Sequence, residues 1–342
     1  MWKEEIKTAL KSTAELNHYF KSEFPETNFP VFVPQALAAK IASAGMDSPL
    51  AKQFLPQTIE NHELQNTGMN DPIGDQKYLV APQLIHRYQN RALFLPVIAC
   101  PVHCRYCFRR NEIAEDETIF KNNFQATLTY LKEHTEINEI IFTGGDPLML
   151  SNEKIDFYLE SFAQIPHIKF IRFHSRFPII VPSRIDADFL NVLNKYTSVF
   201  TRINFGLHVN HADEIGPEVM TALQLLGQIP IGRLTQTVLL KDINAEAETL
   251  IALFEKIVQA GFTPYYLHHP DAVKGGMHFT LSLPEGRRLY AQLRSKLPGW
   301  CVPQYVIDIP GGEGKVSAFN PENYEYSGQL INQKNETILI SL

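Results

Sequence analysis

Three cysteines, Cys100, Cys104 and Cys107, fall within eight residues in the run Cys-Pro-Val-His-Cys-Arg-Tyr-Cys. The C-x3-C-x2-C spacing lets all three sulfurs converge on one point, because the turns between them are short. A four-iron cluster takes four ligands, and cysteine thiolates are the usual ones. Three thiolates leave one iron open to a ligand that is not protein, which is what separates a reactive metal centre from a closed structural one. Two plainer readings exist. Zinc could take the three sulfurs plus His103 or the distant Cys301, although the paired C-x2-C knuckles of structural zinc sites are missing. Alternatively, the three could be core cysteines, which the polar residues between them disfavour.

Two glycine-bearing stretches carry further chemistry. Thr143-Gly144-Gly145-Asp146-Pro147 is either an ordinary turn or a place where backbone approaches a ligand amine closely. Pro310-Gly311-Gly312-Glu313-Gly314-Lys315 presents an amine on a loop of small residues. That lysine is either a solvated charge or a Schiff-base partner for an aldehyde cofactor such as pyridoxal phosphate. A phosphate-binding P-loop is excluded by the glycine spacing and by the lack of a following Ser or Thr.

The elements that must position these groups show a rhythm. Apolar or β-branched runs at 93–98, 139–142, 170–174, 199–205, 234–240 and 264–267 alternate with helical patterns at 124–134, 154–164, 218–226 and 246–260. The repeat of about thirty residues is that of a βαβ unit, and the alternation predicts a parallel α/β sheet. Six units are too few for a closed eightfold barrel, so a partial (β/α)6 barrel is expected. Polar residues gather where the runs end: the cysteine loop, Gly144 to Asp146, Ser175 and Arg176, His208, and His268 to Asp271, with Gln236 inside the fifth run. Ligands of parallel β/α folds bind at the carboxyl ends of strands. Residues 1–80 read as a helical N-terminal segment punctuated by prolines, 81–285 as the partial barrel, and 286–342 as a short C-terminal segment carrying Lys315.

Composition narrows the class. The chain has 342 residues, 44% hydrophobic and 20% charged, with a net charge of −6. Those proportions are ordinary for a soluble globular protein, and the charge offers no footprint for a nucleic-acid backbone. No apolar run approaches membrane-spanning length, and the charged start lacks the apolar core of a signal peptide. Four cysteines, three of them clustered, fit a reducing compartment, so the cytoplasm is expected.

The cysteine motif followed by Phe108-Arg109-Arg110 resembles the signature of the radical SAM superfamily. Together with Gly-Gly-Asp-Pro and Pro-Gly-Gly-x-Gly-Lys, it resembles the lysine 2,3-aminomutase family over about residues 71–320. The resemblance implies three cofactors. These are a [4Fe-4S] cluster on Cys100, Cys104 and Cys107, S-adenosylmethionine on its open iron, and pyridoxal 5′-phosphate on Lys315. By the same resemblance, Gly144, Gly145, Asp146, Ser175, Arg176, His208 and Gln236 are expected to bind cofactor, and Arg87 and Arg91 to lie near the pyridoxal phosphate. Arg109 would take the substrate α-carboxylate, and Asp271 and Asp308 its ε-ammonium. The implied activity is interconversion of L-α-lysine and β-lysine by 1,2-amino migration, with an external one-electron reductant. The short tail after Lys315 lacks the long extension of fermentative clostridial members and puts their tetrameric assembly in doubt, although a homo-oligomer is not excluded. The compact length resembles the bacterial branch that supplies β-lysine for modifying elongation factor P. The alternatives are another radical SAM enzyme, either a glutamate 2,3-aminomutase or an RNA-modifying enzyme, and a non-enzymatic iron–sulfur protein.

Overall fold

Along each of the central strands the side chains alternate between two very different surroundings. Ile140, Phe142, Ile171, Phe173, Ile203 and Phe205 are almost fully buried. Between them, Glu139, Ile141, Thr143, Arg172, His174 and Asn204 face a common interior cavity. Side chains of a strand point alternately to opposite faces, so one face of this sheet packs on helices while the other encloses a polar space.

The computed structural model describes residues 1–115, 123–312, 314–319, 329–331 and 337–339. Ten strands form one sheet in strict sequence order. They are β1 (Leu79–Ala81), β2 (Leu84–Tyr88), β3 (Arg91–Val97), β4 (Glu139–Gly144), β5 (Phe170–Ser175), β6 (Arg202–His208), β7 (Gly232–Val238), β8 (Thr263–His268), β9 (Gln304–Ile309) and β10 (Gly314–Ser317). Neighbours from β3 to β9 are parallel, while β1, β2 and β10 add antiparallel edges. The six expected strands are present within a few residues of their predicted bounds. A seventh parallel strand, β9, lies beyond them and leads straight into the Lys315 hairpin.

Helices between strands cover the outer face, as crossover connections of parallel strands require. The helix Asn152–Ala163 starts at Ser151, whose hydroxyl accepts from the Lys154 amide at 3.3 Å, and buries Ile155, Tyr158, Leu159 and Phe162. Tyr158 and Phe162 meet Phe94 and Phe142 edge-on or tilted, with ring centroids 4.9–6.4 Å apart. Phe142 in turn stacks on Phe173 at 4.5 Å. Offset and edge-to-face contacts of this kind add to the burial of each ring.

The sheet stays open as a ladder: among the described residues β1 and β10 share no strand pairing. Side chains bridge the two edges instead. Lys77 donates to the Gly311 carbonyl, the Tyr78 hydroxyl donates to the Gly312 carbonyl at 3.0 Å, and the Lys315 amide donates to the Tyr88 hydroxyl at 2.8 Å. The fold is therefore a partial barrel whose gap is laced by the connector before β1 and the loop before Lys315. That connector approaches very closely: a Cβ on Gly74, at φ +65°, would come within 2.7 Å of the Gly311 backbone. Glu313 lies outside the described residues.

Candidate active site

The carboxyl ends of the parallel strands surround a cavity of about 590 Å³. Every residue expected from the sequence to bind cluster, cofactor or substrate lines it, including the three cysteines at one end and Lys315 at the other.

The cysteine loop is held from outside the barrel. Arg105, between the second and third cysteines, is fully buried. Its guanidinium donates to Glu60 at 2.9 and 2.6 Å and to the Phe29 carbonyl at 3.1 Å. The Arg105 amide donates to the Gln53 carbonyl, and the His103 amide to the Phe32 carbonyl. The helical N-terminal segment is thus the cradle of the loop, a role its own sequence did not announce. Burial pushes the Cys104 thiol up to about 11 and the Cys107 thiol up to about 12, and raises Cys100 as well. Cys107 and Cys104 add to the push on Cys100, and Cys104 adds to that on Cys107. Three half-buried cysteines whose thiols resist ionising alone suit a metal centre, which deprotonates its thiols outright. The residues therefore fit an iron–sulfur cluster. The zinc alternative loses its fourth ligands: His103 is turned to the Pro30 carbonyl between Phe29 and Phe32, and neither it nor buried Cys301 lines the cavity.

Beside the loop, Gly144 and Gly145 close the end of β4. A Cβ on Gly145 would stand 2.2 Å from the Ile98 carbonyl oxygen and 2.4 Å from that of Ala99. The close approach visible at these glycines is therefore to the backbone entering Cys100. The Gly145 and Asp146 amides donate to the Val97 and Ala99 carbonyls at 2.9 Å. Asp146 ties β4 to β5, accepting from the Ser175 hydroxyl at 2.8 Å and from the Arg176 and Phe177 amides at 2.8 and 3.1 Å. Burial still raises its carboxyl to about 6, against the pull of these donors. Arg176 donates to Gln53 at 2.9 Å and pairs with Glu214, while its Nε and Nη1 are buried without a partner among the described residues. His208 meets the Tyr106 hydroxyl at 2.8 Å, and the Gln236 amide meets His174 at 3.1 Å. Burial holds both imidazoles neutral, each pushed well below its ordinary value.

The far end is a lattice of charge. Arg87 donates to the Ile73 carbonyl at 2.8 Å and to Asp308 at 3.2 Å, and lies 3.6 Å from Asp75. Arg109 pairs with Asp75 and with Glu112, the latter at 2.7 Å. Arg91 lies flat over the Tyr88 ring, 3.8 Å from its centroid. The Lys315 amine stands 3.3 Å from Asp308 and over the Tyr266 ring. Burial lowers this lysine below its ordinary range, although Asp308 and Asp271 pull it back. Asp271 is raised to about 7, first by burial and then by repulsion from Asp308. A buried, partly suppressed amine with an arginine-bearing strand beside it is the donor set that pyridoxal phosphate requires. These residues fit that cofactor as well.

Asp75 was not among the expected residues. It is fully buried, touches both Arg87 and Arg109, and keeps one carboxylate oxygen without a hydrogen bond. It sits one residue past a turn-rich connector, where sequence gives an aspartate no distinction from a cap. Glu139, Arg172 and His174 were also missed. Arg172 donates to Glu139 at 3.0 and 2.7 Å across the cavity floor. Here a signal existed, for these polar residues alternate with apolar ones inside runs otherwise read as buried strands.

Residues 90–169, which hold the cysteine loop and the Gly144–Asp146 turn, match the family described as a 4Fe-4S single cluster domain. The chain is 37% identical to the L-lysine 2,3-aminomutase of Escherichia coli K12 over 84% of its own length and 83% of that protein's. Against the L-lysine 2,3-aminomutase of Haemophilus influenzae the figures are 35%, 84% and 84%. For that of Buchnera aphidicola they are 33%, 92% and 94%. At that identity over most of both chains, the chain belongs to the L-lysine 2,3-aminomutase family.

Proposed function

We propose that this protein is a radical SAM, pyridoxal-phosphate-dependent aminomutase that moves the α-amino group of L-lysine to the β-carbon. One observation carries the reading: Lys315 and the three thiols open onto the same enclosed space, with carboxylates and guanidiniums between them.

When bound, the cluster with S-adenosylmethionine supplies one-electron hydrogen abstraction, and pyridoxal phosphate supplies an aldehyde for amines and a conjugated ring. The chain's own residues divide the remaining work. Cys100, Cys104 and Cys107 hold iron. Gly144, Gly145, Asp146, Ser175, Arg176, His208 and Gln236 form the adjoining wall, where Arg176 offers its two unpartnered N–H groups to an anionic end of a ligand. Lys315 holds the aldehyde cofactor, with Arg87 and Arg91 on the strand beside it. Arg109, already braced by Asp75 and Glu112, keeps its Nε without a partner and faces the cavity as the group for a substrate carboxylate. Enclosure excludes water, which protects a reactive species and strengthens each charge contact.

Charge selects the substrate. Asp75, Glu112, Asp271 and Asp308 meet Arg87, Arg109 and Lys315 at this end. Asp308 and Asp271 both act on the Lys315 amine, and two carboxyl groups beside one amine favour an ammonium there. Lys315 now stands where a substrate ammonium would be welcome, between Asp308 and Asp271. With Lys315 holding the aldehyde cofactor, these two carboxyl groups would be left to receive the ε-ammonium of lysine. A glutamate side chain would meet like charge there.

We further propose that the product serves modification of elongation factor P and that the protein is cytoplasmic. No helix among the described residues is long and apolar enough to cross a membrane. The test is to incubate anaerobically reconstituted protein with lysine, S-adenosylmethionine and a strong reductant. β-Lysine is the expected product, and its absence from a preparation with full iron and pyridoxal phosphate content overturns the assignment.

A further inference from the structure

Strand β2 has two faces with different chemistry. Ile85 and Arg87 line the active-site cavity, and His86 between them points to the outside of the barrel. There it meets the end of the helix Phe124–Glu133 and the turn that leads into β4. His86, His134 and Glu136 each bring one metal-ligating atom to within 4.8 Å of the other two. They come from a strand, from the residue capping a helix, and from the turn two residues later.

The arrangement is organised by Tyr130. Its ring stacks on His134, with centroids 3.9 Å apart and planes 20° from parallel, and its hydroxyl lies 2.9 Å from Nδ1 of His86. A metal-binding imidazole commonly gives its other N–H to an outer partner that fixes ring orientation and tautomer. With Nδ1–H donating to the Tyr130 oxygen, Nε2 of His86 is free to bind through its lone pair. It otherwise has only the Gln89 carbonyl at 3.3 Å. Nδ1 of His134 is 2.8 Å from the Glu136 carboxylate. Tetrahedral zinc places its nitrogen and oxygen ligands about 3.4 Å apart. The His134–Glu136 pair, at 2.8 Å, is already inside that distance, and all three ligand atoms lie within 4.8 Å of one another, so small side-chain rotations bring the set to it.

We propose that His86, His134 and Glu136 form a second metal site, taking a zinc-class divalent ion with water in the fourth position. Two imidazoles and one carboxylate suit zinc and its neighbours in the first transition row rather than magnesium or calcium. The ion pins the outer face of β2 to the turn before β4, and so braces from behind the strand whose inner face carries Arg87. The site is independent of the aminomutase reading, because none of its ligands lines the cavity.

The test uses protein with its iron–sulfur cluster intact, so that the three active-site thiols are occupied. Holoenzyme is equilibrated anaerobically with one equivalent of zinc sulfate and passed through a desalting column, and zinc and iron are measured by plasma mass spectrometry. The wild type is expected to retain about one zinc per chain, and His134→Ala and Glu136→Gln less than about a tenth of that, at equal iron content. Zinc should also raise the thermal midpoint of the wild type and leave that of Glu136→Gln unmoved. Failure of the wild type to retain zinc, or equal retention by both variants, overturns the proposal. Glu136 is exposed, so the Glu136→Gln arm reads metal binding in a protein that folds.

Discussion

The Asp308 carboxylate stands 3.3 Å from the Lys315 amine, and the two residues are register partners across the β9–β10 ladder. One strand pair therefore presents both the amine that would hold the cofactor and the carboxylate that would receive the substrate ammonium. Replacing Asp308 by Asn leaves the hairpin intact but removes a buried charge from Arg87 and Lys315. A buried pair that loses one partner costs about 3–5 kcal/mol. Expressed on the transition state, that corresponds to about 10²–10⁴-fold in kcat/KM for lysine. The expected result is that loss, with cluster and pyridoxal phosphate still bound as judged by absorbance. Near-normal turnover would remove Asp308 from the substrate site.

Asp271 gives a pH dependence with a definite sign. Its carboxyl titrates at about 7 in the folded protein, above the ordinary aspartate value of about 4. The proton is thus bound more tightly when folded, and stability from this group is complete below about pH 4 and lost as pH rises through 7. In cofactor-free protein, Asp271→Asn should gain thermal stability relative to wild type between pH 6 and about 8. Binding has the opposite requirement, since an ammonium ligand needs the ionised carboxylate. The wild-type KM for lysine should rise as pH falls below about 7, and that rise should be absent from Asp271→Asn. Parallel KM–pH curves for the two proteins would disconnect Asp271 from the substrate.

Gly145 packs against the backbone that enters the cysteine loop. A methyl group there would sit 2.2 Å from the Ile98 carbonyl oxygen, inside any allowed contact, so backbone must shift. Gly145→Ala is expected to lose more than about half its iron after reconstitution. Its helical circular dichroism should stay near that of wild type, because the outer helices do not touch the residue. Full iron loading in that variant would show that the loop tolerates displacement.

Glu60 is the hub of the cradle, accepting from Arg105 and Arg110 in a buried cluster. Burial opposes its charge, and the two guanidiniums outweigh burial and hold its carboxyl below the ordinary range. Glu60→Gln strands two buried cations and should destabilise the protein by about 3–5 kcal/mol, read as a lower urea midpoint at unchanged slope. A loss of under about 1 kcal/mol would mean that the cluster is solvated in solution.

The types of the reactive residues and the beat of the parallel strands were both legible in the sequence. Cysteine spacing, paired glycines and a lysine after small residues are local patterns, and a βαβ rhythm repeats every thirty residues. From these came the three thiols, the Lys315 amine and the strand ends that gather them. What only the tertiary structure decided is who stands next to whom. Asp75 reaches Arg87 and Arg109 through a connector that crosses the open edge of the barrel, and β9 arrives as an extra parallel strand after a helix that ends the six-unit pattern. The Arg105–Glu60 anchor joins residues 45 positions apart. Charge pairing of this kind depends on distance in space and on burial, and neither has a periodic trace in the chain. A motif therefore names its own residues and stays silent about the partners that set their charge.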